Sequence, residues 1–362
     1  MRSYLFLPIQ LFFFLFAIDK LFLISWIHQL LVKQEANAYT SVAKFENQKY
    51  EERKKYWLKE IGENLEDLEK RAIVFIGTSR AEGFGEITKE HIQSNPFVKD
   101  EAKVLQIPVA SRIIKAGTFM HLYMLYEGLL ETYPNIKKIA LEINYASFNK
   151  KSNVRQKKEI TDLSWSQFLE LFPYLSYRDI VEYLSSNVFV LNKMQVKWKY
   201  LLQKDEIQSK DLAENLFLLQ KILQNSKRSN IIDGVKENEE SAERIYAYKE
   251  HIKHDSNLLF TNFDLNPTEL ALLKKIIEEA KHRQIDLVLY KPKIHGLYRE
   301  LTAKYIPAEH KFFSELEKLC QANSVKFINL DEKDVIQCNY FSDPSHISKY
   351  CMPEIIEKIY NL

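Results

Sequence analysis

The sequence predicts an α/β protein built on a parallel sheet, and three observations carry that expectation. Short apolar runs at Ala72–Ile76, Lys138–Ile143 and Ile285–Tyr290 have the length and composition of strands buried on both faces. The amphipathic segment Pro267–Arg283 reads as a helix leading into the last of these runs. Small or polar residues, Gly77 and Asn144, follow two of the runs directly, as they do where a strand ends. Strands alternating with helices imply right-handed crossovers, hence a three-layered, doubly wound sheet of flavodoxin-like type. Ligands bind such sheets at the carboxyl ends of the strands.

Tyr4–Ile18 is almost continuously apolar, and after Asp19-Lys20 the character resumes through Leu21–Ile27. A bilayer crossing needs about 20 residues, so residues 1–32 are expected to form a signal anchor or transmembrane helix, with Lys20 snorkelling at an interface. Ala36-Asn37-Ala38 leaves a cleaved signal peptide open. Residues 33–70 are polar and of mixed charge and read as a solvated stalk helix.

The first strand is expected at Ala72–Ile76 and ends at Gly77, placing Thr78, Ser79 and Arg80 at the sheet edge. Thr78 and Ser79 suit either a helix cap or a presented hydroxyl, and Arg80 either a surface charge or a cleft mouth that attracts anions. A second strand is expected at Lys103–Ile107, and the third at Lys138–Ile143 runs into Asn144-Tyr145. Residues 150–259 turn mainly helical, with apolar periodicity in Trp165–Phe172, Arg178–Leu184, Val188–Leu202 and Leu212–Leu223, and read as an insertion that could cover the site. A final strand at Val325–Leu330 and a final helix at Pro353–Tyr360 bracket the loop Phe341–His346.

That loop holds Asp343-Pro344-Ser345-His346. A carboxylate three residues before an imidazole can fix its tautomer and stabilise its charged form. The same Asp can instead stabilise a turn before Pro344.

These blocks, in this order, resemble the SGNH (GDSL-type) hydrolase superfamily, in particular its membrane-anchored DltD- and AlgJ/AlgX-like branch. The resemblance covers about residues 70–150 and 255–362. It implies Ser79 as nucleophile, His346 as general base and Asp343 as the residue that orients it. It also implies an oxyanion hole from the Ser79 backbone N–H, a backbone N–H at Ser111 and the Asn144 side chain. Ser111 stands where the family has Gly, Tyr145 where it commonly has Asp, Thr78 where it has Asp and Arg80 where it has Leu.

Composition narrows the alternatives. A net charge of +2 over 362 residues leaves no nucleic-acid footprint, and no recognition motif for DNA or RNA is visible. The histidines other than His346 make no metal pattern, no Gly-rich nucleotide loop is present, and neither cofactor nor metal is expected. Of three cysteines, Cys338 and Cys351 either pair or remain buried thiols beside Cys320. With the anchor, the resemblance implies a single-pass, extracytoplasmic serine esterase or O-acyltransferase acting on acyl esters of an envelope or exported glycan. A membrane-bound O-acyltransferase is the partner the resemblance implies. The alternative from another class is a non-catalytic envelope binding or assembly factor on the same scaffold.

Overall fold

The computed structural model describes residues 13–21, 72–113, 118–150, 160, 163, 165–188, 232–260 and 263–360. The chain divides into two compact units, Met1–Lys49 with Lys157–Ser209, and Tyr50–Gln156 with Lys210–Leu362. In the first unit residues 13–21 are helical, and Asp19 is buried next to Lys20. The rest of the expected anchor, and the expected stalk at 33–70, lie outside the described residues. No helix among the described residues is long and apolar enough to cross a membrane.

The second unit is an α/β structure. Its strands β1 (Ile73–Gly77), β2 (Val109–Ile113), β3 (Lys138–Glu142), β5 (Asp286–Lys291) and β6 (Lys326–Asn329) form one sheet in the order β2-β1-β3-β5-β6. Every neighbouring pair is parallel. Counted within this sheet the order is 2-1-3-4-5, one of the two common doubly wound orders. β4 (Val235–Lys236), β7 (Tyr340–Asp343) and β8 (His346–Ile347) form a second, antiparallel sheet of three short strands.

Helices follow from capping and apolar spacing. α1 (Lys89–Gln93) begins at Thr88, whose hydroxyl accepts the His91 N–H, and α2 (Glu101–Val104) begins at Asp100, which accepts the Lys103 N–H. Later come α3 (Phe119–Thr132), then α4 (Trp165–Leu171) and α5 (Tyr177–Val188) in the first unit. α6 (Ala242–Asp255), α7 (Pro267–His282), α8 (Gly296–Leu301), α9 (Ile306–Ala322) and α10 (Met352–Tyr360) complete the second. α7 starts where Asn266 caps the Thr268 N–H and Pro267 fills the first turn, where no amide partner is needed.

β1 is buried along its whole length, so its residues alternate between two cores. Ile73 and Phe75 pack with Ile92 of α1, Val104 of α2 and Ile355, Ile356 and Ile359 of α10. Val74 and Ile76 take the other face, where α3 contacts β1 and also packs on α7.

One expectation is corrected here. Residues 103–107 are not a strand, because Asp100 caps α2 and carries the chain helically through Val104. The second strand lies six residues later, at Val109–Ile113, after Pro108. As an edge strand it is only half-buried and carries Ser111 and Arg112, so it has no apolar run to betray it. Within 150–259, the described residues 232–260 include β4, which pairs with β7 in the second unit.

Candidate active site

β1 ends at Gly77, and the chain turns at Thr78 into a 3₁₀ run over Ser79–Glu86. Thr78 does not cap that run. Its N–H and its hydroxyl instead donate to the two oxygens of Glu142, at 2.8 and 2.7 Å. Glu142 closes the neighbouring strand β3 and is fully buried, so the turn that carries Ser79 is tied to the next strand over. The tie explains Gly77: a Cβ there would stand 2.5 Å from Glu142 Oε2 and 2.6 Å from the Ala81 methyl. Close approach, not an unusual φ, is what requires glycine at this position.

On the other side of the site, β7 and β8 form a hairpin whose turn is Pro344-Ser345. Asp343 serves both readings the sequence left open. Its Oδ1 accepts the N–H of Ser345 at 2.8 Å and of His346 at 3.0 Å, which makes the turn. Its carboxylate also meets His346 Nδ1 at 2.7 and 2.8 Å. The far ring nitrogen, His346 Nε2, lies 2.7 Å from Ser79 Oγ. Residues 267 apart in the chain thus form one hydrogen-bonded line, Ser79–His346–Asp343, at the carboxyl end of the parallel sheet.

Burial works against the Asp343 charge, but His346, then His251 and the Ser345 N–H, more than offset it and hold the carboxyl well below its ordinary range. An ionised carboxylate only accepts, so His346 Nδ1 carries the proton and Nε2 of the neutral ring is left to accept from the Ser79 hydroxyl.

The hairpin is held from several elements at once. Arg244 of α6 is buried and donates through Nη2 to the carbonyls of Phe341, at 3.2 Å, and Ser342, at 2.7 Å. The His295 N–H, at the start of α8, donates to the Pro344 carbonyl at 3.1 Å. Arg80 Nε donates to the Ser345 carbonyl at 3.0 Å, and the Ser342 hydroxyl to that of His346 at 3.2 Å. A disulfide, Cys338–Cys351, closes the chain around the hairpin. Glu354 of α10 accepts the N–H groups of Gln337 and Cys338 beside it. Cys320 is a buried free thiol whose pKa burial pushes up to about 11, which keeps it protonated near neutral pH.

These braces yield a stability prediction. Arg244→Met removes the donors to two carbonyls beside Asp343 and is expected to cost about 3 kcal/mol in urea unfolding, the scale of stranding buried acceptors. Arg244→Lys should recover part of that loss. Equal midpoints for all three proteins would show that the contacts do not hold the hairpin.

The expected oxyanion residues are placed unevenly. Ser79 begins the 3₁₀ run, and its N–H donates to no acceptor among the described residues. Asn144 follows β3, the strand beside β1, and its Oδ1 accepts the Ala146 N–H at 3.1 Å, which fixes the amide and leaves Nδ2 to donate elsewhere. Ser111 is a correction. It sits in the middle of β2 opposite Phe75, two residues and roughly 7 Å below the level at which β1 ends. The displacement follows from β2 starting at Val109, six residues after the expected Lys103. Gly117 lies in the stretch 114–117 that follows β2, outside the described residues.

Arg80 is half-buried and bonded to the hairpin. Of the braces, Glu142 and Arg244 carry no site signal that the sequence reading used, and Arg80, expected as a surface charge or at a cleft mouth, is found bonded to the hairpin. A lone Glu inside the apolar run Ile139–Ile143 was the one visible signal among them. No group of three or more His, Cys, Asp or Glu among the described residues could hold a metal ion.

No curated protein matches the chain. The family model described as protein of unknown function (DUF1574) matches residues 1–361. That span takes in both the Ser79 turn and the His346 hairpin, and the chain belongs to this family.

Proposed function

We propose that this chain is a membrane-anchored, extracytoplasmic serine esterase or O-acyltransferase of SGNH type, acting on ester-linked acyl groups of an envelope or exported glycan. The observation that carries the reading is the Ser79–His346–Asp343 line, with distances of 2.7 Å at both joints, at the carboxyl edge of a sheet ordered 2-1-3-4-5.

In this reading Ser79 Oγ attacks the acyl carbonyl carbon while its proton passes to His346 Nε2. Asp343 stabilises the imidazolium that forms. The carbonyl oxygen becomes an oxyanion facing the Ser79 N–H and Asn144 Nδ2. Collapse expels the alcohol oxygen, which takes the proton back from His346 and leaves acyl-Ser79. Water or a sugar hydroxyl then gives its proton to His346, attacks the acyl carbon, and releases Ser79 with its proton restored. The choice between water and sugar, and a membrane-bound O-acyltransferase partner, rest on the family resemblance.

Two further observations support the envelope setting. A disulfide beside the site suits an oxidising compartment. In the first unit, Trp165, Leu169 and Phe172 on and after α4, and Tyr177, Val181 and Leu184 on α5, stand exposed at helical spacing, as on helices that lie against lipid.

The decisive test is labelling of purified protein with a fluorophosphonate, which reacts with an activated serine. Ser79 should be the modified residue by peptide mass. A protein that stays unlabelled under conditions that label a control serine hydrolase leaves the binding or assembly reading, which the displaced Ser111 favours. Asn144→Ala should leave the melting temperature within a few degrees of wild type and lower kcat on an aryl acetate by about 10²-fold, the scale of one oxyanion donor. Unchanged kcat would remove Asn144 from the site.

A further inference from the structure

Arg80 adjoins the nucleophile, is half-buried, and spends one N–H, from Nε, on the Ser345 carbonyl. Its two Nη groups hold four more N–H donors. Among the described residues the one further protein group they meet is the uncharged Tyr298 hydroxyl, and Arg80 makes no ion pair. The nearby acids are already engaged. Glu142 is bonded by Thr78, Asp343 by His346 and the turn, and Asp255 lies 3.4 Å from His251.

A second orphan donor stands beside it. The Tyr298 hydroxyl is 2% exposed; its oxygen meets the Arg80 guanidinium, and its own proton goes to no acceptor among the described residues. Tyr298 sits in the first turn of α8, and that turn is docked on the same loop, since the His295 N–H holds the Pro344 carbonyl next to the one Arg80 holds. Burial keeps the Tyr298 proton on, so the group is a donor throughout the neutral range. The guanidinium stays charged: burial works against it, but Tyr298, Glu142, Asp255 and Asp343 more than compensate. The carboxylates act on Arg80 through space and none forms a direct ion pair with it, so a bound anion would add the close partner that a desolvated cation favours.

We infer that Arg80, with Tyr298 beside it, is a binding site for an anionic group of the substrate, a carboxylate or phosphate a few bonds from the ester that Ser79 attacks. Placement on the nucleophile's own turn makes this a selector of substrate class, admitting acidic esters over neutral ones. The inference rests on the esterase reading for its context but not for its test.

Three probes decide it: phenyl acetate, 4-acetoxybenzoate and 4-acetoxyphenyl phosphate. Wild type should favour at least one charged ester, relative to phenyl acetate and after correction for intrinsic reactivity, by about tenfold or more in kcat/KM, the scale of a charge-assisted pair. Which charged ester gains more tells carboxylate from phosphate. Arg80→Gln also loosens the Ser345 carbonyl and so slows all three esters. The ratio is what matters, and it should fall toward one, with Arg80→Lys keeping part of it. An unchanged ratio in Arg80→Gln overturns the site.

Binding of the same esters to Ser79→Ala, followed by NMR titration, separates the two readings. Tighter binding of a charged ester that disappears in Ser79→Ala/Arg80→Gln upholds the anion site even where wild type turns over nothing, in which case the esterase reading alone falls. Equal binding of charged and neutral esters overturns the site whatever the turnover.

Discussion

Ser79→Ala is expected to abolish fluorophosphonate labelling and to lower kcat on an aryl acetate by about 10⁵–10⁶-fold, and His346→Ala by nearly as much. The double variant should be little slower than either single one. Ser79 Oγ and His346 Nε2 share one hydrogen bond of 2.7 Å and act as a unit, so removing the second partner takes away nothing that still functions. Residual rate should come from the oxyanion donors and from binding, neither of which these substitutions touch. Initial rates for the four proteins on one substrate suffice. Wild-type turnover in Ser79→Ala would eliminate the nucleophile assignment, and losses that multiply in the double variant would mean that the two residues serve separate steps.

The second large effect belongs to Asp343→Asn, expected to reduce kcat by about 10⁴-fold with KM little changed, because an amide can donate to Nδ1 and so stabilise the wrong tautomer. The same substitution has a stability signature whose sign follows from the carboxyl's depressed pKa. In the unfolded chain the group titrates near 3.9, and in the folded protein it titrates lower, held down by His346 against the burial that opposes its charge. Its contribution is therefore complete above about pH 4 and is lost as pH falls through the folded value. Wild type should melt above Asp343→Asn at pH 7, and the gap should narrow steadily below pH 4. A gap that stays constant or widens in acid would show that the pair is not what holds the carboxylate ionised.

What could be read from the sequence, and what could not, divides by the range of the interactions. β1, β3 and β5 announce themselves because a strand buried on both faces must be locally apolar, β6 because, though a half-buried edge strand, it keeps Phe327 and Ile328 at its centre, and α10 because its apolar residues recur at helical spacing. The edge strand β2 is half-buried and polar in its middle, so its residues carried no such mark and Asp100 drew the preceding segment into α2. Ser79 was legible from its own neighbourhood, a hydroxyl just past a strand that ends in Gly77. Asp343 and His346 were legible because three residues separate them. The parts that hold these groups in place were not, since Arg80 reaches a carbonyl 265 residues away and Arg244 one 97 residues away. Such pairings exist only once the chain has folded. Whether Cys338 pairs with Cys351 stayed open for a related reason, as sequence spacing alone does not tell a disulfide from two buried thiols.

In the proposed reading, the hairpin stapled by Cys338–Cys351 also sets when in the protein's life Ser79 could react. Ser79 leaves the ribosome 267 residues ahead of His346, which at ordinary synthesis rates of 5–20 residues per second is tens of seconds, about 13–50 s. During that interval β1 can already pair with β2 and β3, yet the hydroxyl has no base and is an ordinary alcohol. Reactivity arrives late, when a short covalent ring near the end of the chain docks onto a sheet begun near residue 73. In the proposed reading, a chain that ends before His346 carries Ser79 without its base, so incomplete copies would be chemically silent.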